Sequence, residues 1–247
     1  MPNILYKYYD VDDHTEDIFA RNQIYFACPK KFNDPFDSRI PLDLSGTDEQ
    51  WAEYLQKAQE RLNPLIASAV IKKWVQEVLQ IQKQRAIPED ITLRYMNKIG
   101  VYCMSEIPDS LLMWSHYANH HEGFCIGFDT NNKVFGKAQP IVYSENYPVI
   151  NIHTGSQEQK TNAQMLTKSK CWEYEREWRI IDHDNGEGTK GFPEEFLLRV
   201  IFGCQIATEN KNKIISWCQK RLYKPNLFQA EKRHRKFALD LIPIPNP

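Results

Sequence analysis

Three glutamates at alternate positions, Glu173, Glu175 and Glu177, lead directly into the apolar segment 178–181. If this stretch is one extended strand, alternation places the three glutamates and Arg179 on the same face. Such a face is unfavourable, because neighbouring carboxylates repel one another and glutamate is a poor strand former. A fold keeps such a row only where water, a cation or a substrate meets it. We therefore predict that the row forms part of a functional site.

Composition narrows the class of protein. The chain has 247 residues, enough for a substantial core, and its 31 Lys and Arg nearly balance its 32 Asp and Glu. The net charge of −1 argues against a protein that mainly coats duplex nucleic acid, although a local basic groove is compatible with it. Six cysteines without a C-x-x-C pair predict free thiols. The start of the chain lacks a leader pattern and no run of 18 apolar residues occurs, so we expect a soluble, cytoplasmic protein without a membrane segment.

Hydrophobic periodicity predicts an α+β fold with a mixed, largely antiparallel sheet. Strands are predicted at residues 4–8, 24–27, 100–104, 123–129, 139–143, 178–181, 197–202, 227–232 and 237–241. Helices are predicted at residues 16–21, 111–120 and 208–221, and residues 153–161 are predicted to form a mobile surface loop.

A mostly helical block separates the first strands from the rest. Thr47 and Asp48 are expected to cap a helix that continues through Gln59, and Pro64 and Pro88 each open another helix. We therefore predict a single domain, residues 1–247, with a helical subdomain or lid inserted at about residues 47–99.

Three short segments have unusual chemistry. They are Phe-Asn-Asp-Pro-Phe-Asp at 32–37, Met-Trp-Ser-His-Tyr-Ala at 113–118 and Tyr-Glu-Arg-Glu-Trp-Arg at 174–179. Together they resemble the signature of a bacterial family classed as a domain of unknown function, and the resemblance extends over nearly the whole chain. That family implies no activity.

The order of these segments is also similar to that of the ADP-ribosyltransferase superfamily, which suggests a split sheet. The resemblance implies that NAD is bound as a substrate and that a late-strand glutamate acts on it. The matching positions are Lys7, Tyr8, Ser105, His116 and Tyr117 for NAD binding, and Glu177 and Glu175 for catalysis.

The chemistry of NAD cleavage suits these residue types. Breaking the bond between nicotinamide and ribose develops oxocarbenium charge, which a carboxylate stabilises, and an aromatic face supports the departing ring. Glu177 is the main candidate, Glu175 is a second polar group, and Glu173 is expected at the surface. The implied protein is an ADP-ribosyltransferase or NAD glycohydrolase that acts as a toxin or phage-defence effector. Its acceptor is nucleic acid or protein, and an antitoxin or other regulatory partner restrains it.

Two other functions stay open. A metal-dependent nuclease or phosphodiesterase would use Asp34, Asp37, His116, Glu175 and Glu177. Hard divalent cations prefer several oxygen ligands, which these carboxylates supply. No compact metal-ligand motif occurs, so we assign no metal-binding residue. A non-catalytic sensor or partner-binding module would instead use the helical block at 47–97.

Simpler structural roles compete with these functions. The glutamates suit a solvated strand edge, and Asp34 and Asp37 suit turn caps. His116 suits either a hydrogen-bonded core position or a position that supports the ligand-contacting residues from behind. His120 and His121 are expected to be the frayed end of a helix, and the alternative is that these two adjacent imidazoles contact phosphate. The basic run Lys-Arg-His-Arg-Lys at 232–236 is either a solvated hairpin turn or a contact for phosphate or RNA.

Overall fold

A computed structural model describes residues 1–40, 42–43, 45–62, 99–183 and 185–245, together with residues 70, 73 and 77. The strands are β1 (Ile4–Tyr9), β2 (Gln23–Phe26), β3 (Leu42–Asp43), β4 (Gly100–Ser105), β5 (Phe124–Asp129), β6 (Gln139–Pro140), β7 (Val142–Ser144), β8 (Ile150–Asn151), β9 (Thr167–Ser169), β10 (Glu177–Asp182), β11 (Gly188–Gly191), β12 (Leu197–Phe202), β13 (Asn226–Lys232) and β14 (Leu239–Ile244). The helices are α1 (Thr15–Ala20), α2 (Asp48–Leu62), α3 (Leu111–Tyr117), α4 (Gln157–Leu166) and α5 (Thr208–Gln219). Short 3-10 helices lie at Pro29–Lys31, Phe135–Lys137, Lys170–Glu175 and Glu194–Phe196.

Eight strands form one continuous sheet in the order β14-β13-β12-β5-β1-β4-β10-β6. β12 and β13 pair in parallel, and the other neighbours in this sheet pair antiparallel. The predicted α+β class with a mixed, largely antiparallel sheet is therefore confirmed. The split sheet implied by the ADP-ribosyltransferase resemblance stays a prediction.

Hydrophobic residues cover both faces of this sheet. On one face Phe128 is fully buried, stacks on Phe135 with ring centroids 4.3 Å apart, and packs near α1 and α5. On the other face α3 places the fully buried Trp114 edge-on against Tyr8, with ring centroids 5.2 Å apart. The helices thus flank a central sheet on both sides.

Strand register gathers polar side chains on the face that α3 covers. Tyr6 lies opposite Ser105, and Ser105 lies opposite Glu177. Residues directly opposite one another across antiparallel strands share a face, and every second residue along a strand shares it too. Tyr8 and Arg179 therefore join Tyr6, Ser105 and Glu177 on this face.

The predicted strand through the three glutamates is wrong over its first half. Lys170–Glu175 forms a 3-10 helix, and Arg176 has a left-handed backbone with φ of 43° before β10 begins at Glu177. A residue distant in sequence stabilises this turn, because the Ser105 hydroxyl donates to the Glu175 carbonyl oxygen at 2.6 Å. The row is therefore not one strand face. Glu173 is exposed, as predicted, whereas Glu175 and Glu177 are buried.

The predicted mobile loop at 153–161 is also wrong in its second half, where α4 begins at Gln157. Ser156 and Gln159 form a reciprocal capping box, with the Gln159 amide donating to the Ser156 hydroxyl at 3.1 Å. This Ser-x-x-Gln pattern is a helix-start signal that the polar character of the segment obscures.

The helical block at 47–99 is described only in part. Thr47 and Gln50 form the expected cap of α2, since the Gln50 amide donates to the Thr47 hydroxyl at 3.2 Å and the Thr47 amide donates to Gln50 Oε1 at 2.8 Å. The helices predicted to begin at Pro64 and Pro88 lie outside the described residues. None of the described helices combines the length and apolar character that a membrane crossing requires.

Removing the Phe128 ring should strongly destabilise the fold. Phe128→Ala is expected to lower the free energy of unfolding by about 3–5 kcal/mol, because a buried aromatic leaves a cavity among packed rings. Phe237→Ala is the matched control, since Phe237 is 99% exposed. It should change the free energy of unfolding in urea by no more than about 0.5 kcal/mol. Equal effects of the two substitutions would contradict this packing.

Candidate active site

Five charged side chains form a buried cluster beside β10, here called the charge cluster. Each is at most 6% exposed. Its members are Asp37, Lys168, Glu175, Glu177 and Arg179. They come from the loop after the first 3-10 helix, from β9, from the third 3-10 helix and from β10. Because an unpaired buried charge is very unfavourable, the pairing within this cluster determines its geometry.

Arg179 binds two carboxylates at once. Its Nη1 and Nη2 donate to the two oxygens of Asp37 at 2.9 and 2.5 Å, and its Nε and Nη2 donate to the two oxygens of Glu177 at 2.6 and 3.0 Å. Nη1 also donates to the Met165 carbonyl oxygen at 2.7 Å. The planar guanidinium suits such paired contacts, whereas an ammonium group does not. Arg179 therefore joins β10 to the 32–37 loop and to the end of α4.

Lys168 completes the cluster from the other side. Its ammonium contacts Glu175 closely, lies 3.1 Å from Glu177 Oε2, and lies 3.7 Å from Asp37 Oδ2. Burial alone would lower the pKa of Lys168, but Glu177 and Glu175 together outweigh burial and raise this pKa above its usual value. Lys168 is therefore a fixed positive charge between the carboxylates.

The two glutamates experience different environments. Burial raises the pKa of Glu175 above its usual value, although Lys168 acts in the opposite direction. Burial also opposes ionisation of Glu177, but Arg179 and Lys168 outweigh it and hold the pKa of Glu177 well below its usual range. Two neighbouring carboxyls with diverging pKa values are typical of a site in which each has a separate role.

A cavity of about 350 Å³ opens onto the charge cluster. Its size lies within the range common for small-molecule sites. Every predicted site residue borders this cavity, namely Lys7, Tyr8, Ser105, His116, Tyr117, Glu175 and Glu177. The fold therefore brings residues from β1, β4, α3 and β10 to one place.

Three of these residues hold the site together through hydrogen bonds. Tyr117 donates its hydroxyl hydrogen to Glu175 Oε1 at 2.6 Å. The Ser105 hydroxyl donates to the Glu175 carbonyl oxygen and accepts from the Ile107 amide at 3.0 Å. The Tyr8 hydroxyl donates to the Ile107 carbonyl oxygen at 2.5 Å. Ser105 and Tyr8 thus position the backbone near Glu175, and Tyr117 positions its carboxylate.

The other two predicted binding residues are placed differently. Lys7 borders the cavity, but alternation along β1 turns its side chain to the opposite sheet face, where Nζ lies 5.5 Å from the centroid of the Tyr102 ring. His116 is exposed at the cavity rim, with its ring centroid 6.2 to 6.4 Å from those of Tyr117, Trp172 and Tyr174. The interpretation of His116 as a core histidine is therefore wrong.

Sequence reasoning misses part of the cluster. No pattern marks Lys168, because the segment before the third 3-10 helix has no apolar periodicity. The sequence predicts a turn cap at Asp37, yet the two oxygens of this residue bind Arg179. Asp34 does act as a turn cap, since the Phe36 amide donates to its Oδ1 at 2.9 Å. The bias of 32–37 towards acidic and aromatic residues is the one signal that marks this loop.

The metal hypothesis is not supported by the orientation of its proposed ligands. Asp37 and Glu177 both direct their carboxylates at Arg179, and Asp34 borders a different cavity together with Phe36. Across the described part of the chain, no group of three or more His, Cys, Asp or Glu side chains has the geometry to hold a metal ion.

Fold and site together describe an α+β protein with a ligand-sized cavity beside a buried charge cluster. A family model described as "Protein of unknown function (DUF2971)" matches residues 113–180. This segment runs from α3 into β10 and contains four members of the charge cluster, Lys168, Glu175, Glu177 and Arg179. The match confirms a resemblance to a family of unknown function over these residues. Its predicted extension over nearly the whole chain, including the segment 32–37, stays a prediction. Comparison with curated proteins and with solved structures found no match.

Replacing Arg179 should make the protein unfold more easily. Arg179→Met is expected to lower the free energy of unfolding by about 3–5 kcal/mol, because three buried carboxylates are then left with Lys168 as the single cation of the charge cluster. Arg179→Lys, which keeps the charge but not the paired geometry, should fall between Arg179→Met and wild type. The control is Arg176→Met at an exposed position, with an expected change within about 0.5 kcal/mol in urea unfolding. An Arg179→Met variant as stable as the control would refute the proposed role of this ion pairing.

Glu177 should make stability depend on pH with a defined sign. Its folded pKa lies below the unfolded value of about 4.3, so ionised Glu177 stabilises the folded protein above that pH. This contribution is lost as the pH falls towards the folded pKa. The destabilisation caused by Glu177→Gln should therefore be largest near pH 7 and shrink between about pH 5 and pH 3 in urea titrations. A destabilisation by Glu177→Gln that did not change with pH would contradict this role of the ionised carboxylate.

Proposed function

We propose that this protein cleaves the bond between nicotinamide and ribose in NAD and transfers ADP-ribose to an acceptor or to water. The observation that carries the proposal is the buried Glu175 carboxylate. It lies on the wall of a single cavity that all seven predicted residues border, and Tyr117 and Lys168 hold it there. The order of the sheet adds support, because the neighbouring strands β1, β4 and β10 carry positions of the ADP-ribosyltransferase resemblance, namely Lys7 and Tyr8, Ser105, and Glu177.

The contacts of Glu175 leave it able to bind substrate. One oxygen accepts from the Tyr117 hydroxyl and the other accepts from the Lys168 ammonium. Each carboxylate oxygen can accept two hydrogen bonds, so each keeps capacity for a ribose hydroxyl. Since its partners are already in place, the carboxylate needs no reorganisation when positive charge develops nearby.

Glu175, rather than Glu177, is the better candidate for the chemical role. Both oxygens of Glu177 accept hydrogen bonds from Arg179, and one of them also accepts from Lys168. Glu177 therefore positions the two cations, and through Lys168 it positions Glu175. This order reverses the division of roles expected from the sequence.

The proposed reaction needs one proton transfer, and that transfer comes from the acceptor after nicotinamide has left. The bond between C1′ of the ribose and the pyridinium nitrogen breaks, and its electron pair neutralises that nitrogen, so nicotinamide leaves without needing a proton. The positive charge that develops at C1′ faces the Glu175 carboxylate. The acceptor hydroxyl or water then forms a bond to C1′ and gives up its proton to that carboxylate. The rings of His116, Tyr117 and Trp172 near the rim suit the cationic nicotinamide ring.

The biological setting in this proposal is a toxin or phage-defence effector with a protein or nucleic-acid acceptor and a regulatory partner. This setting is supported by the family resemblance alone, whereas the cavity and its carboxylate support the chemistry.

Substitution of Glu175 should abolish NAD cleavage while a matched change beside it does not. Glu175→Gln is expected to reduce nicotinamide release by about 10²–10³-fold, because the amide keeps the shape and removes the negative charge. Glu173→Gln makes the same chemical change at an exposed position of the same 3-10 helix and should keep wild-type activity. Release is measured with purified protein and NAD, alone and with mixtures of proteins and nucleic acids.

The thermal unfolding temperatures of Glu175→Gln and Glu173→Gln are compared with that of wild type. This comparison shows whether a loss of activity comes from the missing charge or from a damaged fold. The proposal fails if wild-type protein releases no nicotinamide under any of these conditions. It also fails if Glu175→Gln, folded like wild type, retains the activity of Glu173→Gln.

A further inference from the structure

A cavity of about 760 Å³, here called the second cavity, lies between α3 and the tip of the hairpin formed by β13 and β14. Leu111 and Ser115 of α3 border it, whereas Met113, His116 and Tyr117 of the same helix border the cavity at the charge cluster. The two cavities are therefore separate, with one short helix contributing to each.

The hairpin tip concentrates positive charge on a nearly neutral protein. Residues 232–236 read Lys-Arg-His-Arg-Lys and are all exposed. Arg233 pairs with Asp240 at 2.6 Å. In the part of the chain that the structure describes, no carboxylate lies within ion-pair distance of Lys232, Arg235 or Lys236. These three cations therefore face solvent beside the cavity.

Strand register separates Lys232 from the acidic residues of the hairpin. Lys232 lies opposite Leu239, which borders the second cavity, whereas Glu231 lies opposite Asp240. Because side chains alternate along each strand, the two carboxylates lie on the other face of the hairpin from Lys232. Lys232 is thus directed to the cavity side, and Arg235 and Lys236 of the turn border the same cavity.

An aromatic ring stands at the same tip without a packing role. Phe237 borders the cavity and is 99% exposed. Two residues before it, Arg235 has a left-handed backbone with φ of 56°, a conformation that glycine or asparagine adopts more readily than arginine. The left-handed residue belongs to the hairpin turn itself, where such a conformation is common. Folding of the hairpin does not account for the exposed Phe237 ring, which points to a role in binding.

One residue that borders the second cavity, His121, ends a short turn with an unusual backbone. Asn119, His120 and His121 have φ values of 42°, 54° and 72° in succession, so the predicted frayed helix end is an ordered left-handed turn. The His121 amide donates to the Trp114 carbonyl oxygen at 3.2 Å, and its ring stacks on that of Trp114. Burial lowers the pKa of His121, so its ring is neutral near pH 7. His121 thus adds a neutral ring, packed on Trp114, to the wall of this cavity.

We propose that this cavity and the hairpin tip bind single-stranded nucleic acid. Lys232, Arg235 and Lys236 contact phosphates, and Phe237 stacks on a base at the cavity mouth. Exposed basic side chains beside an exposed aromatic ring are the combination by which proteins hold single strands without reading a sequence. An acidic polypeptide would use the charges but not the ring. This inference stands independently of the proposed NAD chemistry.

Binding of a fluorescein-labelled 12-nucleotide RNA, followed by anisotropy over a range of salt concentrations, tests the proposal. Wild type should bind the single strand more tightly than a duplex of the same length. Phe237→Ala should weaken binding at least about fivefold with an unchanged salt dependence, and Phe237→Tyr should retain binding. Joint replacement of Arg235 and Lys236 by Gln should instead reduce the slope of log K against log salt by about 0.7 for each phosphate that the protein no longer neutralises.

The matched control is Lys224→Gln, which should bind like wild type. Lys224 is exposed and precedes the start of β13, at the end of this strand away from the hairpin tip. All these positions are exposed, so thermal unfolding should be unchanged in every variant. No binding by wild type at low salt would overturn the proposal, as would equal affinity for the duplex. A polyglutamate peptide that binds equally well, with no effect of Phe237→Ala, would assign the surface to acidic polypeptides instead.

Discussion

One buried guanidinium determines the geometry of the candidate site. Arg179 binds Asp37 from the 32–37 loop, Glu177 beside it on β10, and the carbonyl oxygen of Met165 at the end of α4. None of these segments can move away without leaving a buried ion or a buried carbonyl unpaired, which is strongly unfavourable. The cavity walls are therefore held by electrostatics, and hydrophobic packing on the far face of the sheet supports the strand that carries Arg179.

The charge cluster has more carboxylates than cations, and Glu175 is the carboxylate that receives the least positive charge. Three carboxylates share two cations, and Arg179 is occupied by Asp37 and Glu177. Glu175 shares Lys168 with its neighbours and otherwise has the neutral Tyr117 hydroxyl. Burial therefore raises the pKa of Glu175 while Arg179 lowers that of Glu177. Glu175 is thus the carboxylate with the least neighbouring positive charge, and it lies at the cavity wall. Such a group can stabilise positive charge that develops on a bound substrate, which is the basis of the proposed reaction.

Much of the fold is predictable because it depends on local patterns. Alternating or continuous apolar runs locate the main strands, and the capping residue Thr47 locates the start of α2. Errors arise where a distant contact overrides local preference. Residues 173–176 look extended in sequence, yet the Ser105 hydroxyl holds them in a turn from 70 residues away. The start of α4 is missed for a different reason, since its Ser-x-x-Gln signal lies in a segment without apolar periodicity.

The sequence alone selected a set of aromatic, polar and acidic residues that border one cavity, because residue types and strand periodicity are local properties. Lys7 shows the limit, since β1 is predicted correctly but the side chain lies on the other face. Only the tertiary structure decided which charges pair, because Asp37 and Arg179 are 142 residues apart and no local pattern relates them. It likewise brought Lys168 into the cluster. Ion pairing in a buried site depends on the packing of distant segments, and that pairing sets Glu175 apart from Glu177.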